Sequence, residues 1–448
     1  MVVVLNGVLA DECPRSIRAL LATHPGYRDA AAQLLGAAAR VIGPPGLLYV
    51  AQREMAAVVP HDKNVSIIGS DDATSCIIVV VRHSGSGAVA LAHLDGSGTA
   101  EAAATMVARV QQLAVGYPEG RLELQLVGGF TDPHRYSDDL FANIMLSFHR
   151  LTEEIDLTLA CCCELNTALG GGTPAPLVTG VGVDIRAGDL FPATFPDKGP
   201  ELPLRGTRNI TGGLHSSQVL DIYDNGLAML RIGPFNYEPL RGVDLWLEQS
   251  DDFILQHLST TPAVEGPHFV HNVSVQTYNR AACCIRLVDL WLEQSDDFIL
   301  QHLSTTPAVE GPHFVHNVSV QTYNRAACCI RLVDLWLEQS DDFILQHLST
   351  TPAVEGPHFV HNVSVQTYNR AACCIRLVDL WLEQSDDFIL QHLSTTPAVE
   401  GPHFVHNMRV TLKFIQQHPF PAVTVFPDNR PHYYRRDEQT GCWVPVRF

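Results

Sequence analysis

Cys76 and His93 are the residues from which chemistry in this chain can start. Cys76 opens the run Ile77-Ile78-Val79-Val80-Val81, which carries no charge and reads as a strand buried on both faces. His83-Ser84-Gly85-Ser86-Gly87 is turn chemistry, and Ala88–Leu94 is a second apolar run, so the spacing predicts a hairpin. The midpoint of positions 76 and 93 falls between 84 and 85, within that turn. A hairpin closing symmetrically there sets the thiol opposite the imidazole, with Cβ atoms about 4.5–5.5 Å apart. A base needs that proximity to activate a nucleophile. A bulge in either strand shifts the pairing by one.

Each residue also has a plainer role. A cysteine before an apolar strand packs as a small hydrophobe, and a single histidine can be a satisfied structural one. His83 sits in the turn, too far along the strand to serve Cys76. Ser70, six residues before Cys76, either orients the imidazole as the third member of a triad or bonds its own backbone as a turn hydroxyl. Both readings stand on spacing alone.

Several stretches in order carry a resemblance. Leu47-Leu48-Tyr49-Val50-Ala51-Gln52-Arg53-Glu54, Gly69-Ser70-Asp71-Asp72-Ala73-Thr74-Ser75-Cys76, Leu126-Val127-Gly128-Gly129-Phe130 and Leu230-Arg231-Ile232-Gly233-Pro234 resemble the protein N-terminal asparagine amidohydrolase family. The similarity runs from near the N-terminus to the tail, interrupted by a repeat array. It implies deamidation of an N-terminal Asn to Asp, which creates a destabilising N-terminus for the N-degron degradation pathway. It also implies an α-β-β-α sandwich of the cysteine-deamidase type with a Cys-His-Ser triad, which by position is Cys76, His93 and Ser70.

Composition narrows the classes. With 46% hydrophobic and 17% charged residues the chain is globular rather than disordered. A net charge of -19 argues against a nucleic-acid partner, which needs clustered Lys and Arg. Much of that charge belongs to the repeats. Three full units at -3 each and a truncated fourth at -5 leave only -5 for the rest. Met1-Val2-Val3-Val4-Leu5, broken by Asn6-Gly7, is too short for a signal peptide, and no apolar run reaches membrane-spanning length. A cytoplasmic location, extending to the nucleus, is expected, with no membrane partner. The twelve cysteines then read as reduced thiols. Cys161-Cys162-Cys163 lies in an apolar strand without metal-ligand spacing, and Asn64-Val65-Ser66 is a glycosylation pattern without consequence in that compartment.

Along the chain, 14–42 has helical patterns ending at Gly43-Pro44-Pro45-Gly46. Leu47–Ala57 and Val65–Ile68 lead into the Cys76 segment as strands or short helical pieces. Ala100–Val115 and Ser137–Glu154 read as helices; Arg121–Val127, Leu157–Asn166 and Leu177–Ile185 read as strands. Val219–Tyr223 and Ala228–Ile232 form a hairpin across Asp224-Asn225-Gly226. In the tail, Thr424-Val425-Phe426 is strand-like, and His432–Arg436 with Trp443–Val446 is a hairpin expected to join the main sheet. Strands and helices are mixed without strict alternation, which indicates an α+β fold.

From Val243 a 45-residue unit repeats letter for letter, at 243–287, 288–332 and 333–377, with a fourth copy over 378–407. Natural solenoid units diverge, and their terminal units present a polar cap. Identical copies therefore point to a duplicated helical insertion or a faulty gene model. Deleting three units from 448 residues leaves 313, enough for one domain made of 1–242 with 378–448. His268 and His271 share a helical face without a third donor. Trp246, Trp291, Trp336 and Trp381 are expected in a core.

The chemistry expected is attack of Cys76 on a carboxamide carbon, with the thiol's pKa lowered by a neighbouring imidazolium. Backbone N–H groups of Cys76 and Ser75 serve as oxyanion donors. Asp71, Asp72 and Glu164 are candidates to receive a substrate ammonium; their plainer role is solvated loop charge. No metal or cofactor is expected. The partners are protein or peptide substrates with N-terminal Asn, acted on by a monomer. Two alternatives stay open: a non-enzymatic repeat scaffold for protein partners, and a cysteine amidase acting on Gln or another amide.

Overall fold

The computed structural model describes residues 3–10, 12–170, 172–211, 217–237, 378, 381–418 and 421–446. By its backbone packing the chain divides into Met1–Tyr237 with Val378–Phe448, and Glu238–Leu377. Every described residue belongs to the first unit. The three full repeat copies, with His268, His271 and their tryptophans, lie outside the described residues.

The fold is mixed α+β with several sheets. The largest has eight strands, and its centre is Val89–Leu94, Ile77–His83 and Leu122–Gly128 side by side, with Ile155–Cys162 next. The predicted hairpin forms, and the alternation of its side chains decides everything that follows. Ile77, Val79, Val81, Ala90, Ala92, Leu94, Leu122, Leu124 and Leu126 pack in one core with Met106, Val107, Phe141, Ile144 and Phe148. Those last five belong to the helices Thr99–Leu113 and Tyr136–His149. Successive strand residues point to opposite faces, so His93 points away from the helices.

A five-stranded sheet contains Leu47–Tyr49, Ile67–Ser70, Val181–Asp184 and Leu190–Thr194. Gly69 lies in it beneath Phe195: a Cβ there would come within 2.3 Å of the ring. The next residue, Ser70, ends a strand, paired to Val181, and is not a turn hydroxyl.

Other boundaries moved for local reasons. The helix expected to reach Glu154 ends at His149, and the following strand begins at Ile155, leaving Glu164 in a 3₁₀ turn. Leu220–Asp221 joins the large sheet beside Glu54–Val58, while Tyr223–Asp224 turns back onto Met229–Ile232. The tail hairpin, His432–Arg436 with Trp443–Val446, pairs with Met229–Ile232 in a separate four-stranded sheet and not with the main one. Pro421–Thr424 is helical, not extended. The fourth repeat copy folds as a helix Asp386–Leu393 capped by Ser385, a turn at Pro397–Val399, and the helix Phe404–Gln417. Among the described residues no helix is long and apolar enough to cross a membrane.

Candidate active site

The hairpin register places the candidate residues differently from the symmetric expectation. Ile77 pairs with Leu94 and Ile78 with His93, so the strand begins one residue after Cys76. The turn is displaced because His83 closes it: its backbone N–H donates to Ala88 O, and its Nδ1 engages Ser86. Cys76 is therefore not opposite His93. Cys76 stands one residue ahead of the strand and two positions from Ile78, the residue that pairs with His93.

Cys76 is held at its post by glycine. Gly128, at φ +120°, lets its strand approach so closely that a Cβ would stand 2.7 Å from the carbonyl oxygen of Cys76. Ser137 fixes the preceding peptide, donating from Oγ to Ser75 O at 3.3 Å while accepting from Phe130 N at 3.2 Å. The Gly128-Gly129-Phe130 stretch is thus a buttress for the cysteine.

His93 is 3% exposed. Its Nδ1 shares a hydrogen bond of 2.8 Å with Ser70 Oγ, across the two sheets. Its Nε2 is buried and without a hydrogen-bond partner among the described residues. For Nε2 to take a proton, Nδ1 must carry the hydrogen and donate it to Ser70. Burial lowers the imidazole pKa to about 4, opposed by the Asp95 and Asp72 carboxylates. At neutral pH the ring is an uncharged base.

The thiol differs from expectation. Burial, reinforced by Asp95 and Glu400, pushes Cys76 upward, and Arg53 only partly opposes this. A neutral His93 has no charge with which to lower it. Burial raises the half-buried Cys76 thiol and lowers the His93 imidazole, so both shifts favour thiol and imidazole over thiolate and imidazolium.

The Gln52-Arg53-Glu54 stretch organises the ground behind His93. Arg53 Nε and Gln52 Nε2 each donate to Asp95 Oδ2 at 2.7 Å, and Ser97 N donates to Asp95 Oδ1 at 2.9 Å. Glu54 receives Arg205 from the helix Leu202–Ile210, with Nη2 to Oε2 at 2.6 Å, in a nearly water-free pair. Nothing in local spacing marks Asp95 or Arg205 for these roles.

Of the three expected ammonium acceptors, Asp71 is fully engaged within the protein. Tyr49 Oη donates to its Oδ1 at 2.8 Å, Lys198 Nζ lies 2.6 Å from the same oxygen, and Phe195 N donates to Oδ2 at 2.9 Å. Asp72 also pairs with Lys198. Glu164 stands beside Arg18 at 3.7 Å. Cys161, Cys162 and Cys163 are buried. A separate cavity of about 200 Å³, bounded in part by Tyr49, Lys198, Arg205 and Trp443, does not include Cys76.

Sequence reading missed one segment entirely. Ser394–Glu400, in the fourth repeat copy, lies against the cysteine loop: Ser75 Oγ meets Thr395 Oγ1 at 2.9 Å, and Thr396 Oγ1 donates to Thr74 Oγ1 at 3.0 Å.

A buried imidazole tethered by a serine, with a cysteine just ahead of the strand that pairs with it, is a set of groups suited to acyl transfer, with the ring shuttling the proton. A family model described as protein N-terminal asparagine amidohydrolase matches residues 37–280, 276–327, 317–369 and 363–445, the middle two retracing repeat units. Over 260 residues the chain is 40% identical to protein N-terminal asparagine amidohydrolase of Sus scrofa, covering 58% of this chain and 82% of that one. The Homo sapiens protein of that name is 40% identical over 260 residues, with 83% covered. That of Arabidopsis thaliana is 28% identical over 249 residues, covering 50% and 70%. The chain belongs to the protein N-terminal asparagine amidohydrolase family.

Proposed function

We propose that this protein hydrolyses the side-chain amide of an N-terminal Asn, giving N-terminal Asp, with Cys76 as nucleophile. The carrying observation is the 2.8 Å bond between Ser70 and His93 Nδ1, together with an Nε2 that has no partner among the described residues. Cys76 Sγ attacks the carboxamide carbon as His93 Nε2 takes the thiol proton; attack and proton transfer are concerted because no thiolate is preformed. The backbone N–H groups of Cys76 and Ser75 donate to the oxyanion. Collapse breaks the C–N bond, and the imidazolium returns its proton to the departing ammonia. His93 next deprotonates a water, hydroxide attacks the thioester carbonyl, and the C–S bond breaks to release the Asp carboxylate. The imidazolium then reprotonates Cys76.

The sandwich of 1–242 with 378–448 is the catalytic domain in this reading, of the cysteine-deamidase α-β-β-α type. Its support is the order of helices, eight-stranded sheet and second sheet, with the Ser70–His93 bond joining the sheets. The three identical units are a duplication that adds no catalytic group. The product enters the N-degron pathway in the cytoplasm or nucleus, and the enzyme acts as a monomer.

Incubation with an Asn-initiated peptide tests the reading: a mass gain of about 1 Da, abolished in Cys76→Ala, is expected. Equal turnover of a Gln-initiated peptide would move the substrate class to cysteine amidases in general. No mass change from folded protein sinks the proposal.

A further inference from the structure

Resting on that reading, we infer that Lys198 is a positioning residue for the triad: its ammonium bridges Asp71 and Asp72, and so keeps Ser70 on His93 where the chain crosses to Cys76. Ser70 ends a strand of the five-stranded sheet, and Cys76 stands just ahead of a strand of the eight-stranded one. The chain passes between them in 71–75 alone. Lys198 Nζ lies 2.6 Å from Asp71 Oδ1 and also pairs with Asp72. Phe195, three residues earlier, donates its N–H to Asp71 Oδ2 at 2.9 Å, and its ring lies over Gly69. One short segment, 195–198, thus grips the positions on either side of Ser70.

The bridge answers a local cost. Asp71 is buried and Asp72 adjoins it, so two like charges meet where water is scarce. Desolvation and Asp72 push the Asp71 carboxyl upward, and the Lys198 ammonium opposes them. Asp71 must stay ionised to do its work. Both its oxygens accept, one from Tyr49 Oη at 2.8 Å and the other from Phe195 N, and a proton would displace one of these donors. Asp72 sits in the left-handed region at φ +59°, a conformation that persists when its surroundings hold it. Lys198 is its one side-chain partner among the described residues. Lys198 is itself fixed from behind, its carbonyl accepting from Arg205 Nη1 at 3.1 Å, while Arg205 pairs with Glu54.

Lys198→Met removes the charge and keeps the stem. Heteronuclear NMR of histidine-labelled protein reads the His93 ring, assigned by its loss in His93→Gln, and wild type is expected to carry the hydrogen on Nδ1. In folded Lys198→Met that preference is expected to be lost, and kcat on an Asn-initiated peptide to fall about 10- to 100-fold with KM within about threefold. Lys198→Arg can still bridge two carboxylates and should restore the tautomer and most of kcat, which relief of a general packing defect would not explain. Retention of the wild-type tautomer in folded Lys198→Met overturns the inference. The NMR reading needs no turnover, so it decides the role of the bridge even if no peptide is deamidated. If Lys198→Met does not fold, Asp72→Asn at its exposed position removes one arm of the bridge. The same shift away from the Nδ1–H tautomer is then expected, and its absence overturns the inference.

Discussion

Replacing Ser70 by Ala isolates the part of the site that depends on the meeting of two sheets. Among the described residues the hydroxyl is the only hydrogen-bond partner of His93 Nδ1, at 2.8 Å, and both residues are buried. In the resting enzyme the bond joins neutral groups, so its loss costs about 1 kcal/mol of stability, seen as a lower urea midpoint with an unchanged slope. During attack the ring becomes imidazolium. The bond is then charge-assisted, about 1.5–3 kcal/mol. The excess over the ground state, with the loss of tautomer control, lowers kcat about 10- to 100-fold. KM for an Asn peptide stays within about twofold, since Ser70 makes no contact with substrate in this mechanism. Mass spectrometry of the deamidated peptide under saturating substrate reads kcat directly. A folded Ser70→Ala enzyme with kcat within twofold of wild type would refute the triad role, leaving the bond as packing.

Other outcomes follow from the same geometry. Gly128→Ala places a methyl against Cys76 O at a positive φ and should cost about 1–3 kcal/mol in urea unfolding, with kcat reduced more than tenfold; retention of both denies the buttress. Arg205→Met strands the buried Glu54 carboxylate and should destabilise by about 3–5 kcal/mol, whereas replacing both partners by apolar residues recovers much of that loss. The folded-state pKa of His93, about 4 against 6.5 in the unfolded chain, means the unfolded state binds more protons between those values. Stability should thus fall by about 3 kcal/mol as pH drops from 6.5 to 4, and His93→Gln should remove that portion of the slope. Deleting 243–377 restores the junction Gly242-Val and keeps Glu400; activity within about threefold of the full chain is expected, and its abolition would show that the extra units matter.

Local pattern was enough for the elements whose cause is local. Uninterrupted apolar runs around 77–81 and 88–94 have only one soluble solution, a buried hairpin, and the turn residues between them confirm where the chain reverses. The same runs put Cys76 and His93 near the open end of the hairpin. Register itself was not legible: His83 turns its own ring onto Ser86, and it is Ile78, not Cys76, that pairs with His93. The protonation states were not legible either, because the expectation of an imidazolium rested on proximity, while burial, a property of the assembled layers, favours two neutral groups.

The amino-acid order by itself put Ile77, Val79 and Val81 on one side of the hairpin and His93 on the other, while packing decided which side the helices cover. It also fixed the glycine that Cys76 needs at 128. Only the packed fold brought Ser70 onto that imidazole from a second sheet, set Arg205 on Glu54, and carried Glu400 from a distant repeat copy to the cysteine loop. Hydrogen bonds between remote strands leave no periodic trace in a sequence, because neither partner constrains its own neighbours; their placement is decided when apolar faces close on one another and the polar groups caught between them must find partners.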